Sequence, residues 1–133
     1  MELLGEMVLG WIVVEGFWFL EGEFLPLLLL GPQCRFRREA LARLEAAGLP
    51  WRLAALSPSL AGLWASAQGG LGVTARTALG LPADLRWGRT LLGLPALGAL
   101  PLALHRGRAA GPAATHLHGL LREAALRVLE LPA

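Results

Sequence analysis

Short apolar runs closed by glycine or proline alternate with amphipathic helical patterns through the middle of this 133-residue chain. The runs are four to six residues long and apolar on both faces, which is typical of buried parallel strands. Between them, apolar residues recur every three or four positions, as on one face of a helix. In order, the segments are a strand at 25–30, a helix at 36–47, a strand at 51–56, a helix from Ser57 to Ala67 and an extended run at 71–74. This alternation predicts an α/β fold with a parallel-rich sheet flanked by helices.

Further elements are predicted on both sides of this alternation. We expect strands at 8–14, 85–87 and 100–104, a loose linker at 88–98 rich in glycine, leucine and proline, and a last helix that opens at Pro112. The apolar face expected for that helix consists of Leu117, Leu120, Leu121, Ala124 and Val128. The five tryptophans have no regular spacing, and we expect them to pack in the core.

Composition narrows the class of protein. Hydrophobic residues make up 55% of the chain and charged residues 17%, which is too apolar for a disordered protein. All twelve basic residues are arginines, but the net charge is only +2 and they are scattered, whereas nucleic-acid binding needs a concentrated basic patch. The single cysteine, Cys34, excludes an internal disulfide framework and fits a reducing cytoplasm.

The high apolar content calls for a test of membrane insertion. A transmembrane helix needs about 18 consecutive apolar residues. Glu15 interrupts the run at 7–20, and Pro95 and Pro101 interrupt the run at 91–104. We therefore predict no membrane partner, and a cytoplasmic location.

Two consecutive segments resemble a known family. CRFRREALARLEAAGLPWR at 34–52 and SPSLAGLWASAQGGLGVTART at 57–77 resemble the effector-binding domain of LysR-type transcriptional regulators. The strand ALPLALHR at 99–106 and the last helix match the same domain, so the resemblance runs from about Val8 to Leu129. Where many family members carry Leu-Pro after the GLGV strand, this chain has Arg76 and Thr77.

The resemblance implies a periplasmic-binding-protein-like (type 2) effector domain fragment. It implies that residues 1–14 end the first lobe, 15–99 form the second lobe, and 100–133 return to the first. A winged helix-turn-helix that contacts DNA would be a separate, missing domain, and the family's dimers would use the surface at 36–47 and 52–56. Met1 could be a misassigned start, the head of a truncated gene or the end of an excised piece, and these alternatives stay open.

The candidate site lies where the predicted strands end. In open α/β sheets ligands bind beyond the carboxyl ends of strands, where helix N-termini present free amides to anions. Two such corners are Pro32, Gln33 and Cys34 after the first strand, and Ser57, Pro58 and Ser59 after the second. We expect Ser57 to cap its helix, with Pro58 at the first helical position. The family resemblance adds that the second corner contacts effectors, and Thr74 is a further candidate.

The hypothesis is therefore a sensor that binds a small molecule, with anions among the candidates, in a cleft between lobes. It implies no enzyme activity, no cofactor and no metal; His116 and His118 are two apart and would diverge on a helix. Three rivals remain. One is a small α/β thiol enzyme using Cys34, one is a truncated remnant or structural interaction module, and one is a membrane-surface protein.

Overall fold

The computed structural model describes residues 1–130 and divides the chain into two units. One unit consists of Met1–Val8 and the segment that begins at Ala99, and the other consists of Leu9–Gly98. The lobe boundaries at 1–14, 15–99 and 100–133 stay a prediction, and residues 131–133 lie outside the described range.

Within the described residues the elements follow the predicted order, apart from a first strand at Glu2–Val8 and a 3-10 turn, neither of which was predicted. The strands are β1 (Glu2–Val8), β2 (Gly10–Val14), β3 (Leu25–Leu29), β4 (Trp51–Leu56), β5 (Thr74–Arg76), β6 (Leu85–Gly88) and β7 (Ala99–Leu104). The α-helices are α1 (Arg35–Ala46), α2 (Leu60–Gln68) and α3 (Pro112–Glu130), and a 3-10 turn spans Leu91–Gly93. The β3–α1–β4–α2 sequence confirms the predicted α/β alternation.

In the Leu9–Gly98 unit, Val73 joins two groups of strands. β3 pairs with β4 in parallel, and β2 lies between β5 and β6 in antiparallel pairing. Val73 forms a parallel bridge to Leu27 immediately before β5 begins. Its N–H donates to the Pro26 carbonyl oxygen and its own oxygen accepts from the Leu28 N–H, both at 2.9 Å. A Cβ at Gly72 would contact the Pro26 carbonyl oxygen, so glycine is required where this segment enters the sheet.

The expectation of a parallel-rich sheet holds only in part. Strands β3, β4, β5 and β6 run in one direction, while β2 runs against them. β2 contributes two antiparallel ladders, and these make the sheet mixed. The apolar sequence of β2, GWIVV, predicts that the strand is buried on both faces. Burial on both faces does not determine whether a neighbouring strand is parallel or antiparallel.

Helix α2 begins two residues later than predicted. Ser59, not Ser57, is the N-cap, and its hydroxyl oxygen accepts a hydrogen bond from the Gly62 N–H at 3.2 Å. Pro58 therefore precedes the cap and does not occupy the first helical turn. The Ser57 hydroxyl is used in a tighter turn, in which it donates to the Ser59 carbonyl oxygen and accepts from the Ser59 N–H.

The core of this unit includes a stretch that the sequence indicated as a loose linker. Leu94 and Leu97 are buried, and the Pro95 carbonyl oxygen accepts a hydrogen bond from the Trp11 indole at 2.8 Å. Trp11 is fully buried, as expected for a core tryptophan. Trp18 is 72% exposed, so the expectation that all five tryptophans lie in the core is wrong. The glycines and prolines of this stretch shape a bend while its leucines fill the core.

The other unit pairs β1 with β7 in antiparallel register, and α3 packs against β1. A single strand was expected at 8–14. The chain instead changes partners at Leu9, because β1 pairs with β7 while β2 pairs with β5 and β6.

The predicted apolar face of α3 is not the packed one. Leu117, Leu120 and Leu121 are about half exposed. A Cβ at Gly5 of β1 would contact Leu129, which shows that the helix approaches the strand through Leu129. None of the helices in residues 1–130 is long and apolar enough to cross a bilayer.

Candidate functional site

The corner at Ser57, Pro58 and Ser59 follows β4 and is built by short-range hydrogen bonds. The Ser57 N–H donates to the Leu29 carbonyl oxygen at 3.0 Å, which ties the end of β4 to the end of β3. The Ser57 side chain is buried and forms the turn with Ser59 described above. A Cβ at Gly62 would overlap the Ser57 hydroxyl oxygen, so glycine lets the first turn of α2 lie against it. The corner is therefore rigid, with Pro58 and Ser59 exposed at its surface.

The corner at Pro32, Gln33 and Cys34 follows β3 and leads into α1. Pro32 and Gln33 are exposed, and Cys34 is half-buried at the N-cap position of α1. No side chain caps this helix, and the Cys34 N–H donates to the Gly31 carbonyl oxygen at 3.0 Å. The amides of the first turn of a helix carry a positive partial charge that favours anions. This corner thus combines a helix N-terminus with a thiol.

Thr74 and Cys34 both line a small cavity at the start of α1. Its volume is about 10 Å³, and the residues around it come from the end of β3, the start of α1, α2 and β5. They are Leu29, Leu30, Cys34, Phe36, Arg37, Leu63, Thr74, Ala75 and Arg76. A space of this size is about that of a single water molecule. A small-molecule ligand would therefore bind over this edge and not inside it.

Arg76 gives the edge its positive charge. Its guanidinium carbon lies 4.6 Å from the centroid of the Phe36 ring, within the range of a cation–π contact. Burial lowers the pKa of Arg76, and its Coulombic interaction with Cys34 opposes that effect. Arginine nevertheless remains protonated at neutral pH. Arg37 lines the same cavity and donates to the Leu30 carbonyl oxygen at 3.0 Å.

The structure thus gathers part of the predicted site into one region. Cys34 and Thr74 share the cavity, and Ser57 is bonded to the end of β3 from which the cavity is built. Pro32 and Gln33 lie in the turn between β3 and α1.

Arg76 and Arg37 were not among the predicted site residues. Arg76 had one available signal: it is a charged residue directly after the uncharged GLGVTA run, where many members of the resembled family carry Leu-Pro. Arg37 had none, because a helix with four arginines gives no indication of which one turns inward.

The chemistry of this edge favours a small anion. Two arginines and Thr74 line the cavity together with the first residues of α1, and no acidic residue lines it. Arginine and helix amides both bind carboxylates and phosphates well.

Comparison with known proteins shows similarity in sequence to a regulator. No protein-family model matches the chain. It is 32% identical over 87 residues to the HTH-type transcriptional regulator PecT of Dickeya dadantii (strain 3937). That match covers 65% of this chain and 28% of PecT, so the chain spans less than a third of the relative's length.

Solved structures give the fold. The PA01 protein of Pseudomonas aeruginosa, described as a LysR family transcriptional regulator, superposes with a TM-score of 0.60 at 17% identity, over 94% of this chain and 48% of its own. HinK, a LysR family regulator from the same species, gives 0.57 at 17% identity, over 92% and 45%. The C-terminal domain of a LysR family regulator from Rhodococcus sp. RHA1 gives 0.55 at 18% identity, over 90% and 65%.

These comparisons confirm the resemblance to LysR-type regulators that the sequence indicated. The fold is that of their C-terminal domains, and the sequence match is to a transcriptional regulator. The matched proteins are regulators and not enzymes, in agreement with the expectation that this chain is not an enzyme.

Proposed function

We propose that this chain, with the fold of a LysR-family C-terminal domain, is the effector-sensing part of a LysR-type transcriptional regulator. Its ligand would be a small carboxylate or similar anion, bound at the edge formed by the end of β3, the corner after β4 and Thr74. In a complete regulator this edge would form one wall of the cleft between lobes. DNA would be contacted by a separate winged helix-turn-helix domain.

One observation carries the proposal. The half-buried Arg76 guanidinium lines the same cavity as Cys34 and Thr74, beside a rigid corner built by Ser57 and Ser59. A charge fixed beside preorganised hydroxyls and helix amides binds an anion without a large ordering cost. Pro32, Gln33 and Pro58 are exposed in the two corners and would contribute shape and not charge.

Signalling would follow from population shift. A ligand changes the output only if it binds one arrangement of the regulator better than another. Arg76 and Cys34 lie on different elements, β5 and the start of α1, so an anion held by both would favour arrangements that keep these elements together.

We also propose that the complete regulator is a homodimer that uses the surface at 36–47 and 52–56. β4 pairs on one side only, with β3, so its other edge is open within the described residues. Leu53 and Leu56 on this strand are exposed. An open edge with exposed leucines is a surface that association would cover.

The ligand hypothesis is tested by thermal unfolding in the presence of benzoate, succinate and 2-oxoglutarate. A ligand that binds only the folded state stabilises it by roughly 1.4 kcal/mol at ten times Kd. At least one of these carboxylates should raise Tm by several degrees, and benzamide, the neutral counterpart of benzoate, should not. The Arg76→Gln variant should lose the shift.

Arg38→Gln is the matched control, because Arg38 is exposed on α1 and does not line the cavity. It should keep the shift. If no carboxylate raises Tm, or if Arg76→Gln responds as the parent chain does, the proposed anion site is wrong. The chain would then be better described as a truncated remnant that binds no ligand.

A further inference from the structure

A second groove lies away from the cavity at Arg76, and no residue is shared between the two. It has a volume of about 500 Å³ and runs between the loop that follows β2 and the turn at 91–94. Ligand-binding clefts typically enclose about 300 to 1,000 Å³. The groove is therefore large enough for a small molecule, whereas the cavity at Arg76 is not.

The lining of this groove is apolar with an acidic rim. Leu25 and Leu94 form a buried floor, and Leu49 and Pro50 contribute one side. The polar side chains among the lining residues are those of Trp18, Glu21 and Glu23. None of the chain's twelve arginines lines it. The charged side chains that line the groove are therefore both acidic, and Arg52 lies in an adjoining pocket with Trp18 and Glu23.

The two glutamates have different roles. The Glu23 carboxylate accepts a hydrogen bond from the Leu20 N–H at 3.3 Å, and the Glu23 N–H donates back to the Leu20 carbonyl oxygen. These two hydrogen bonds hold residues 20–23 in a turn. Glu21 is exposed and forms no ion pair within residues 1–130, so its carboxylate is available to a ligand.

Two aromatic side chains of the 17–24 loop, those of Trp18 and Phe19, line the groove. Trp18 is 72% exposed although it carries a large apolar ring, and it lines the groove with Phe19. A tryptophan face attracts ammonium groups more strongly than other aromatic rings do. An exposed indole beside an unpaired carboxylate can hold a cation that also carries an apolar body.

The opposite wall carries a strained backbone. Leu92 has a φ of 58°. Among residues 1–130 it is the only non-glycine residue with a positive φ. A left-handed conformation costs roughly 1–2 kcal/mol for a residue with a Cβ. Glycine would avoid that cost, yet a leucine is present, and its exposed side chain lines the groove. Strain of this kind is concentrated at functional sites.

From these features we propose that the groove between the 17–24 loop and the 91–94 turn binds a small organic cation, an amine with an aromatic or alkyl body. The body lies against Leu49, Leu92 and Leu94, and the ammonium group lies between the Trp18 ring and the Glu21 carboxylate. This site is independent of the anion edge at Arg76, and either can exist without the other.

Phenethylamine and 3-phenylpropionate are the probes, because they share a ring and differ in the sign of their charge. The readout is the indole N–H signal of Trp18 in a two-dimensional NMR spectrum of the whole chain, assigned by its absence in Trp18→Phe. Phenethylamine should shift this signal in a saturable manner. 3-Phenylpropionate should bind at least about fivefold more weakly.

Glu21→Gln should weaken phenethylamine binding by about two- to fivefold, which is the range for a surface ion pair. Trp18→Ala should weaken it by a similar or larger factor, measured by calorimetry. Both positions are exposed, so the variants should fold. Glu123→Gln, which removes one exposed carboxylate that does not line the groove, should bind phenethylamine as the parent chain does.

Two outcomes would overturn the proposal. Equal binding of the amine and the carboxylate would mean that the acidic rim does not select the ligand. A Trp18 signal that depends on protein concentration and not on phenethylamine would mean that a second copy of the chain covers the groove. Neither outcome bears on the thermal shift with carboxylates that tests the site at Arg76.

Discussion

The Arg76 guanidinium lies over the Phe36 ring, with 4.6 Å between the guanidinium carbon and the ring centroid. Arg76 ends β5, and Phe36 lies in the first turn of α1. The contact therefore joins two of the elements that border the Cys34 cavity. It also keeps a half-buried positive charge at the edge where an anion would bind.

The first prediction concerns this contact. A partly desolvated cation–π pair contributes about 1–2 kcal/mol. A double-mutant cycle with Phe36→Leu and Arg76→Gln, measured by urea unfolding, should give a coupling free energy in that range. The same cycle with Arg38→Gln, an exposed arginine on α1, should give none. Equal coupling free energies for Arg38 and Arg76 would mean that the Phe36 ring responds to positive charge in general and has no specific contact with Arg76.

The second prediction concerns the cap of α2. Ser59→Ala removes the hydroxyl oxygen that accepts from the Gly62 N–H and should lower the free energy of unfolding by about 1 kcal/mol. Ser59→Asn should retain most of that stability, because asparagine caps as well as serine. If Asn and Ala are equally destabilising, the Ser59 hydroxyl has a role other than capping.

The third prediction concerns Gly62 and Ser57. Alanine favours a helix by about 1 kcal/mol over glycine, yet Gly62→Ala should destabilise the chain. The added methyl would overlap the Ser57 hydroxyl oxygen and break its two hydrogen bonds with the Ser59 backbone, at about 0.5–1.5 kcal/mol each.

The destabilisation should shrink once the hydroxyl is removed. In a Ser57→Ala background the tightest overlap is gone, although the added methyl still lies 3.3 Å from the Cβ of residue 57 and from the Ser59 hydroxyl oxygen. Gly62→Ala should therefore lower the urea midpoint less in this background than in the parent chain. An equal loss in both backgrounds would show that the overlap with the hydroxyl does not control the effect.

The local sequence pattern was sufficient to predict the elements from β3 to β4. The strand and helix boundaries at β3, α1 and β4 fall within about one residue of the predicted ones, because apolar periodicity and the Gly48–Pro50 stop are read from neighbouring residues. The same patterns do not specify partners. The antiparallel pairing of β2 with β5 and β6 depends on segments about 60 to 75 residues away, which no local pattern reports.

Side-chain detail was harder to predict than backbone order. Ser57 and Ser59 are both good caps, and the choice between them depends on the hydrogen bond from Ser57 to Leu29, a residue 28 positions away. On α3 apolar residues occupy several faces, and the contact at Gly5 selects the one that packs. Arg76 became a candidate only when the fold brought β5 beside the start of α1.

The fourth prediction concerns pH and the unit formed by β1, β7 and α3. The hydrogen bond from the Arg122 guanidinium lowers the pKa of Glu2, with Nε of Arg122 at 2.6 Å from a carboxylate oxygen. A carboxyl group with a lowered pKa in the folded state stabilises that state above its ordinary pKa. The contribution is lost as pH falls through the lowered value.

NMR titration of the Glu2 side chain should therefore give a pKa below the ordinary value for glutamate. Arg122→Gln should return it toward that value, whereas Arg127→Gln, an exposed arginine on the same helix, should not. A Glu2 pKa that is the same in the parent chain and in Arg122→Gln would contradict the contact.

The most direct test of the central claim uses Cys34, which is the chain's single thiol. Iodoacetamide modification at this residue can be followed by mass spectrometry of the whole protein. If benzoate, succinate or 2-oxoglutarate binds across Cys34, Thr74 and Arg76, it should slow alkylation about tenfold at ten times its Kd, since only the free fraction reacts. The protection should disappear in Arg76→Gln. An alkylation rate that none of these carboxylates changes, or protection that persists without Arg76, would contradict the assignment of this edge as the effector site.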